Sequence, residues 1–170
     1  MITLDLCSTP TDYSTLCRNA ISEKTGIPAE AVYIHSTHTH TGPELSEKDN
    51  GILDAENTEL IAEYRKTLLQ KLVEVSVEAL EDRGEAVLGI GEGKAENVAF
   101  VRRFRMRDGS AATNPGVNNP NIDHALGTPV ETVKLIKIKR QNADDIAIVN
   151  FGTHPDSVGG EYISADYMGY

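Results

Sequence analysis

Three of the five histidines, His35, His38 and His40, fall within six residues, in the stretch Ser36-Thr37-His38-Thr39-His40-Thr41-Gly42-Pro43. The stretch closes the apolar run Ala31-Val32-Tyr33-Ile34. If that run is a strand, side chains alternate between its faces, so His38 and His40 point the same way and His35 the other. Two imidazoles on one face, where a strand opens into a Gly-Pro loop, can share one metal ion. His154 stands in a matching context, Val149-Asn150-Phe151-Gly152-Thr153-His154-Pro155, again a strand end followed by proline. Catalytic zinc takes three protein ligands and keeps a position for water, whose pKa it lowers to near neutrality. His38 and His154 are the best ligand pair by context, with His40 as a third ligand or as a group beside the ion. The two strand ends together predict a metal-dependent hydrolase.

Arg102 is the next candidate. Alternation over residues 98–106 puts Val98, Phe100, Arg102, Phe104 and Met106 on one face, where a guanidinium needs a carboxylate or a ligand oxygen. Asp5 and Asp166 are the carboxylates considered for it. Arg103, Arg105 and Arg107 fall on the opposite, solvated face. Asp166 reads as the cap of a short helix, and Asp123 and His124 as surface residues of a long loop. Ser157 lies near His154, but no G-x-S-x-G elbow surrounds it. Cys7 and Cys17 lack metal-type spacing and read as buried or half-buried thiols.

The elements that must position these groups alternate strand and helix, which predicts an α/β fold: a mixed sheet with helices packed on its faces. Strands are expected at 2–6, 31–36, 86–91, 98–106, 131–139 and 146–151. A first helix has Thr11 or Asp12 as N-cap, an apolar stripe of Tyr13, Leu16, Cys17, Ala20 and Ile21, and an end at Gly26 and Pro28. The clearest helix covers 55–82 after a polar loop at 44–51, with Leu60, Ile61, Tyr64, Leu68, Leu72, Val75 and Ala79 on its apolar face. Residues 107–129, rich in Asn, Gly and Pro, read as a long loop without regular structure. The first strand, helix and second strand form a parallel crossover, and ligands bind beyond the carboxyl ends of such strands, where His38 and His40 lie.

At 170 residues the chain reads as one domain, 1–170. Its net charge of −10 disfavours nucleic acid and anionic lipid surfaces as partners. No run approaches the ~20 apolar residues of a membrane span. The first residues lack the basic and apolar parts of a signal peptide, so a cytoplasmic location is expected, with secretion of a longer parent left open.

The two histidine motifs, the strand Arg102-Arg103-Phe104-Arg105-Met106, the stretch Thr25-Gly26-Ile27-Pro28-Ala29-Glu30 and the ending Ile163-Ser164-Ala165-Asp166-Tyr167 occur in an order that resembles the neutral/alkaline non-lysosomal ceramidase family, in particular its bacterial members. The resemblance implies a zinc-dependent amidase in which activated water attacks the amide carbonyl of an N-acyl sphingoid base. It matches His38 and His154 to two zinc-binding histidines, and His40 and Arg102 to residues lining the active site. It places the family's zinc-binding glutamate and tyrosine beyond Tyr170 and further structure before Met1. On that reading the chain is part of a larger catalytic domain, with a small-molecule or lipid amide as substrate and little turnover by itself. Two other readings stand beside it: a non-catalytic module with structural histidines, and a different metal hydrolase of phosphatase type. The second lacks a Gly-rich phosphate cradle.

Overall fold

The computed structural model describes residues 1–46, 55–160 and 162–166. The expected loop at 44–51 lies outside the described residues beyond Ser46, as does the ending from Tyr167 onward. The fold is α/β, but its strands form three small sheets instead of one mixed sheet. Length alone suggested one domain; the chain divides into two compact units, Met1–Arg83 with Pro155–Tyr170, and Gly84–His154. No described helix is long and apolar enough to cross a membrane.

The first unit is built on β1 (Ile2–Leu4) and β2 (Ile34–Ser36), which pair in parallel with Ile2 opposite Ile34 and Leu4 opposite Ser36. The crossover between them is helix α1 (Thr11–Thr25). Pro10, not Thr11 or Asp12, occupies the capping position: its φ of −56° presets the helix start without a side-chain hydrogen bond. Gly26 ends the helix at φ +75°, where its N–H reaches the Ser22 carbonyl. The second expected strand shortens because Pro28 starts a 3₁₀ turn at Ala29–Ala31.

Side chains spaced by four on α1, Tyr13, Cys17 and Ile21, are buried. They form a core with Leu4, Leu6, Val32, Leu45 and Leu72. Burying each large apolar side chain contributes roughly 1.5–3 kcal/mol. Leu16, expected in the stripe, is 50% exposed, because the buried face follows only the i, i+4 row. Helix α2 (Ala55–Glu81) buries Ile61 and Leu72, with Tyr64, Leu68, Leu69 and Val73 packed partly against the core, and leaves Leu60 and Val75 exposed.

Arg65 ties the two helices. Its guanidinium lies 4.7 Å above the Tyr13 ring and 3.0 Å from the Asp12 carboxylate. The hydrogen bond from Arg65 holds the Asp12 carboxyl below its usual range. Because the folded pKa is depressed, any stabilisation from this pair is present above the unfolded value and fades as pH falls through the folded one. NMR titration should find the Asp12 midpoint below that of a reference peptide, and Arg65→Ala should raise it. An unchanged midpoint in that variant would show that Arg65 is not the cause.

The second unit is antiparallel. β3 (Ala86–Lys94) pairs with β7 (Thr132–Arg140), and β7 with β8 (Ile146–Asn150). A second sheet sets β4 (Arg103–Met106) between β5 (Ala111–Thr113) and β6 (Ile122–Ala125). The stretch 107–129 is therefore not free of regular structure. Strands of three or four residues are too short for their alternation to be read. The register stacks Leu88 on Ile138 on Ile146, and Ile90 on Ile136 on Ile148, so one face of the first sheet is an apolar ladder. Leu88 is 60% and Ile90 80% exposed, and Ala99 is the single buried apolar residue described in this unit.

Candidate metal centre

The parallel pairing of β1 and β2 continues past both strands as main-chain hydrogen bonds. Thr37 N–H donates to the Leu4 carbonyl at 2.9 Å and His38 N–H to the Leu6 carbonyl at 3.0 Å. Two chain segments, 5–7 and 37–42, thus leave the same end of the sheet side by side. At His38 the backbone turns left-handed, φ +69°, a conformation uncommon for a residue with a side chain. The alternation expected from a continuing strand stops at Ser36, yet the two rings still meet: the His38 and His40 centroids are 4.9 Å apart, edge to face.

His38 Nδ1 lies 2.7 Å from the Cys7 carbonyl oxygen. A carbonyl only accepts, so Nδ1 carries the proton and Nε2 of the neutral ring presents its lone pair. That Nε2 is 3.3 Å from His40 Nε2. The other nitrogen of His40, Nδ1, is 4.0 Å from the Asp156 carboxylate. Histidines that bind metals characteristically direct the second ring nitrogen to a carbonyl or carboxylate, which fixes the tautomer and orients the ring. The His38 ring follows that pattern, while the Asp156 carboxylate stands within ion-pair reach of His40 Nδ1 but beyond hydrogen-bond length. Two nitrogens each about 2.0–2.1 Å from a tetrahedral ion stand about 3.3–3.4 Å apart, the separation found here.

The loop that carries the rings is anchored beneath them. Thr39 is fully buried, and its hydroxyl donates to the Ser164 carbonyl at 3.0 Å. The Thr41 and Ser164 hydroxyls are 2.6 Å apart, and Ser164 N–H donates to the Thr41 carbonyl at 3.1 Å. Asp166, buried and at φ +57°, accepts the N–H groups of Ser157 and Val158 at 3.0 Å each. It closes the loop that bears Asp156, and the helix it was expected to cap would fall on residues outside the described ones. Gly42 is where the two segments touch most closely: a Cβ there would meet the Asp5 carbonyl oxygen at 2.6 Å and Leu6 Cα at 3.0 Å.

The other candidates take separate places. His35 Nε2 pairs with the Thr3 hydroxyl at 2.9 Å and its ring stacks on Tyr33, so it is a strand-pairing residue. Asp5 accepts from the Thr37 hydroxyl at 3.2 Å. Ser157 is exposed, and among the described residues it enters the site through its N–H. Arg102 and His154 belong to the second unit, of which His154 is the last residue. Arg102 is exposed and precedes β4, so it does not interrupt an apolar face; no ion pair to it occurs among the described residues. Of its expected strand-mates Phe100 is 78% exposed. His124 pairs with Asp123 at 2.9 Å on exposed β6. An apolar groove of about 640 Å³ runs along Met1–Leu4 and the carboxyl half of α2, and includes none of the histidines.

Cys7 was read as a buried or half-buried thiol without metal-type spacing; it is half-buried, and the unexpected part is that its Sγ lies 3.8 Å from His38 Nδ1. Burial pushes its thiol pKa up, as do the nearby Glu44 and Asp156 carboxylates. The signal lay in topology, not spacing: Cys7 follows β1 and His38 follows β2, and parallel neighbours end at the same edge. Comparison of the chain with protein-family models, with curated proteins and with solved structures finds no match.

Proposed function

We propose that this chain carries the metal-binding part of a zinc-dependent amidohydrolase, acting on an N-acyl amide such as ceramide or a related lipid or small-molecule amide. The observation that carries the reading is the pair of Nε2 atoms 3.3 Å apart, with the His38 Nδ1 held by the Cys7 carbonyl and the Asp156 carboxylate 4.0 Å from the His40 Nδ1. Hydrogen-bonded to each other, the two Nε2 atoms hold one proton between them, and a cation can take that proton's place. Imidazole donors suit zinc among the abundant divalent ions. A bound zinc would act as a Lewis acid toward the amide carbonyl and lower the pKa of water beside it. The protein's own part is to orient His38 through the Cys7 carbonyl, to set the Asp156 carboxylate opposite His40, and to hold both rings on a loop anchored by Thr39 and Thr41. The amide substrate, and the roles of His154 as a further zinc ligand and Arg102 as a pocket residue, come from the family resemblance.

The hydrogen bonds among these residues also favour a second reading, in which the histidines only tie two loops together. Elemental analysis of the purified chain after zinc loading separates the two. The expected result is close to one zinc per chain, lost in His38→Ala and in His40→Ala while far-UV circular dichroism stays native. His154→Ala tests the ligand that the resemblance adds. Well-folded protein without zinc, with His38→Ala unfolding readily in chelator, would establish the structural role instead. Release of fatty acid from an N-acyl sphingosine that survives chelation would exclude the zinc reading of the chemistry.

A further inference from the structure

We infer that the Cys7 thiol is a third ligand to the ion held by His38 and His40, making a two-imidazole, one-thiolate set for a borderline-soft divalent cation. The inference rests on the metal reading above and goes beyond it, since neither spacing nor resemblance assigns Cys7. One ligand atom from each of the three residues lies within 4.8 Å of the other two. In a tetrahedral zinc site a thiolate at ~2.3 Å stands about 3.5 Å from each nitrogen ligand, so separations of at most 4.8 Å leave the three groups to be drawn together by a small side-chain rotation when an ion binds.

The main chain holds His38 against Cys7. Residues 6–7 grip His38 from two sides, the Leu6 carbonyl taking its main-chain N–H and the Cys7 carbonyl taking its ring N–H. The left-handed backbone at His38 is the strained conformation that brings its ring back over Cys7. Three protein ligands with a fourth position for water is the arrangement of catalytic zinc, and mixed Cys/His sets are among its forms. On binding, the Cys7 S–H bond breaks, its proton passes to solvent, and a sulfur–metal bond forms with no change of oxidation state. Cys17 serves as an internal contrast, since it is buried in the core against Tyr13.

Cobalt(II) titration of the purified chain tests this, because a thiolate on cobalt gives an intense near-ultraviolet charge-transfer band that imidazoles do not. The expected result is that band together with visible d–d bands of a four-coordinate ion. In Cys7→Ser the charge-transfer band disappears, while the d–d bands persist at an affinity weaker by roughly 10-fold or more, since losing a direct ligand costs at least what losing an orienting partner does. Visible bands without charge transfer in the parent chain, or charge transfer that persists in Cys7→Ser, would overturn the role of Cys7 and leave the histidine site standing. Failure to bind cobalt at all would overturn both. Should Cys7→Ser fail to fold, cadmium-113 NMR of the parent chain decides: a downfield shift of thiolate type supports the inference, and a nitrogen–oxygen shift refutes it.

Discussion

Tyr13→Ala is expected to destabilise the first unit by about 3–5 kcal/mol, the range for deleting a buried aromatic ring. Tyr13 is 1% exposed and sits where α1 meets the core of Leu4, Leu6, Leu45 and Leu72. Its hydroxyl donates to the Arg65 carbonyl on α2 at 2.6 Å, and the Arg65 guanidinium covers its ring. Truncation therefore leaves a cavity and also cuts a direct hydrogen bond between the helices. Since a domain is stable by only ~5–15 kcal/mol, a loss of this size removes a large part of the margin. Tyr13→Phe should cost only about 1 kcal/mol, because the ring stays and one neutral hydrogen bond is lost. Urea unfolding followed by far-UV circular dichroism measures both. A loss below about 1 kcal/mol for the alanine variant would show that α1 is not held by this residue.

The same packing explains what could be read from the sequence. The helices were legible because their apolar residues recur over four and seven turns, long enough for a period to emerge. Their buried faces were narrower than the patterns suggested: Leu16 and Leu60 carry the right spacing and remain exposed. The antiparallel pair β7–β8 was visible from its alternation and its Asn142-Ala143-Asp144 turn. Strands β5 and β6 were not, since three or four residues of Ala, Asp and His carry no signature and depend on pairing with β4.

At the site, the pairing of His38 with His40 was legible for a reason that turned out to be different. A continuing strand was expected to align them; the structure ends the strand at Ser36 and reaches the same meeting through a left-handed turn. The loop chemistry around them was hidden because it joins segments over 120 residues apart, Thr39 and Thr41 with Ser164. Cys7 was hidden for the same reason, at a separation of 31 residues from His38. Side chains that converge through tertiary contact leave no mark in local spacing, whereas the topology that brings them together does: a parallel crossover was readable, and it already implied that residues 7 and 38 would be neighbours.

That dependence of the ligands on two adjacent segments makes Gly42 the most telling position outside the ligand set. Its backbone needs no left-handed conformation, so Gly42→Ala is not opposed by φ. It is opposed by contact, because the added Cβ would stand 2.6 Å from the Asp5 carbonyl oxygen and 3.0 Å from Leu6 Cα, both rigid main-chain atoms. The loop 37–42 or the segment 5–7 must move, and either motion draws the Cys7 carbonyl away from the His38 ring. The expected cost is about 1–3 kcal/mol of stability, as for overpacking. Metal affinity should fall roughly tenfold or more, the scale seen when the groups that orient a ligating histidine are lost. Gly159→Ala is the matched control: nothing lies within 4 Å of its Cβ, and it should be neutral or slightly stabilising. Zinc titration by calorimetry beside urea unfolding measures both quantities. If Gly42→Ala binds zinc as tightly as the parent chain, the close approach of the two segments is not what positions His38, and the orientation of its ring must come from the histidine loop alone.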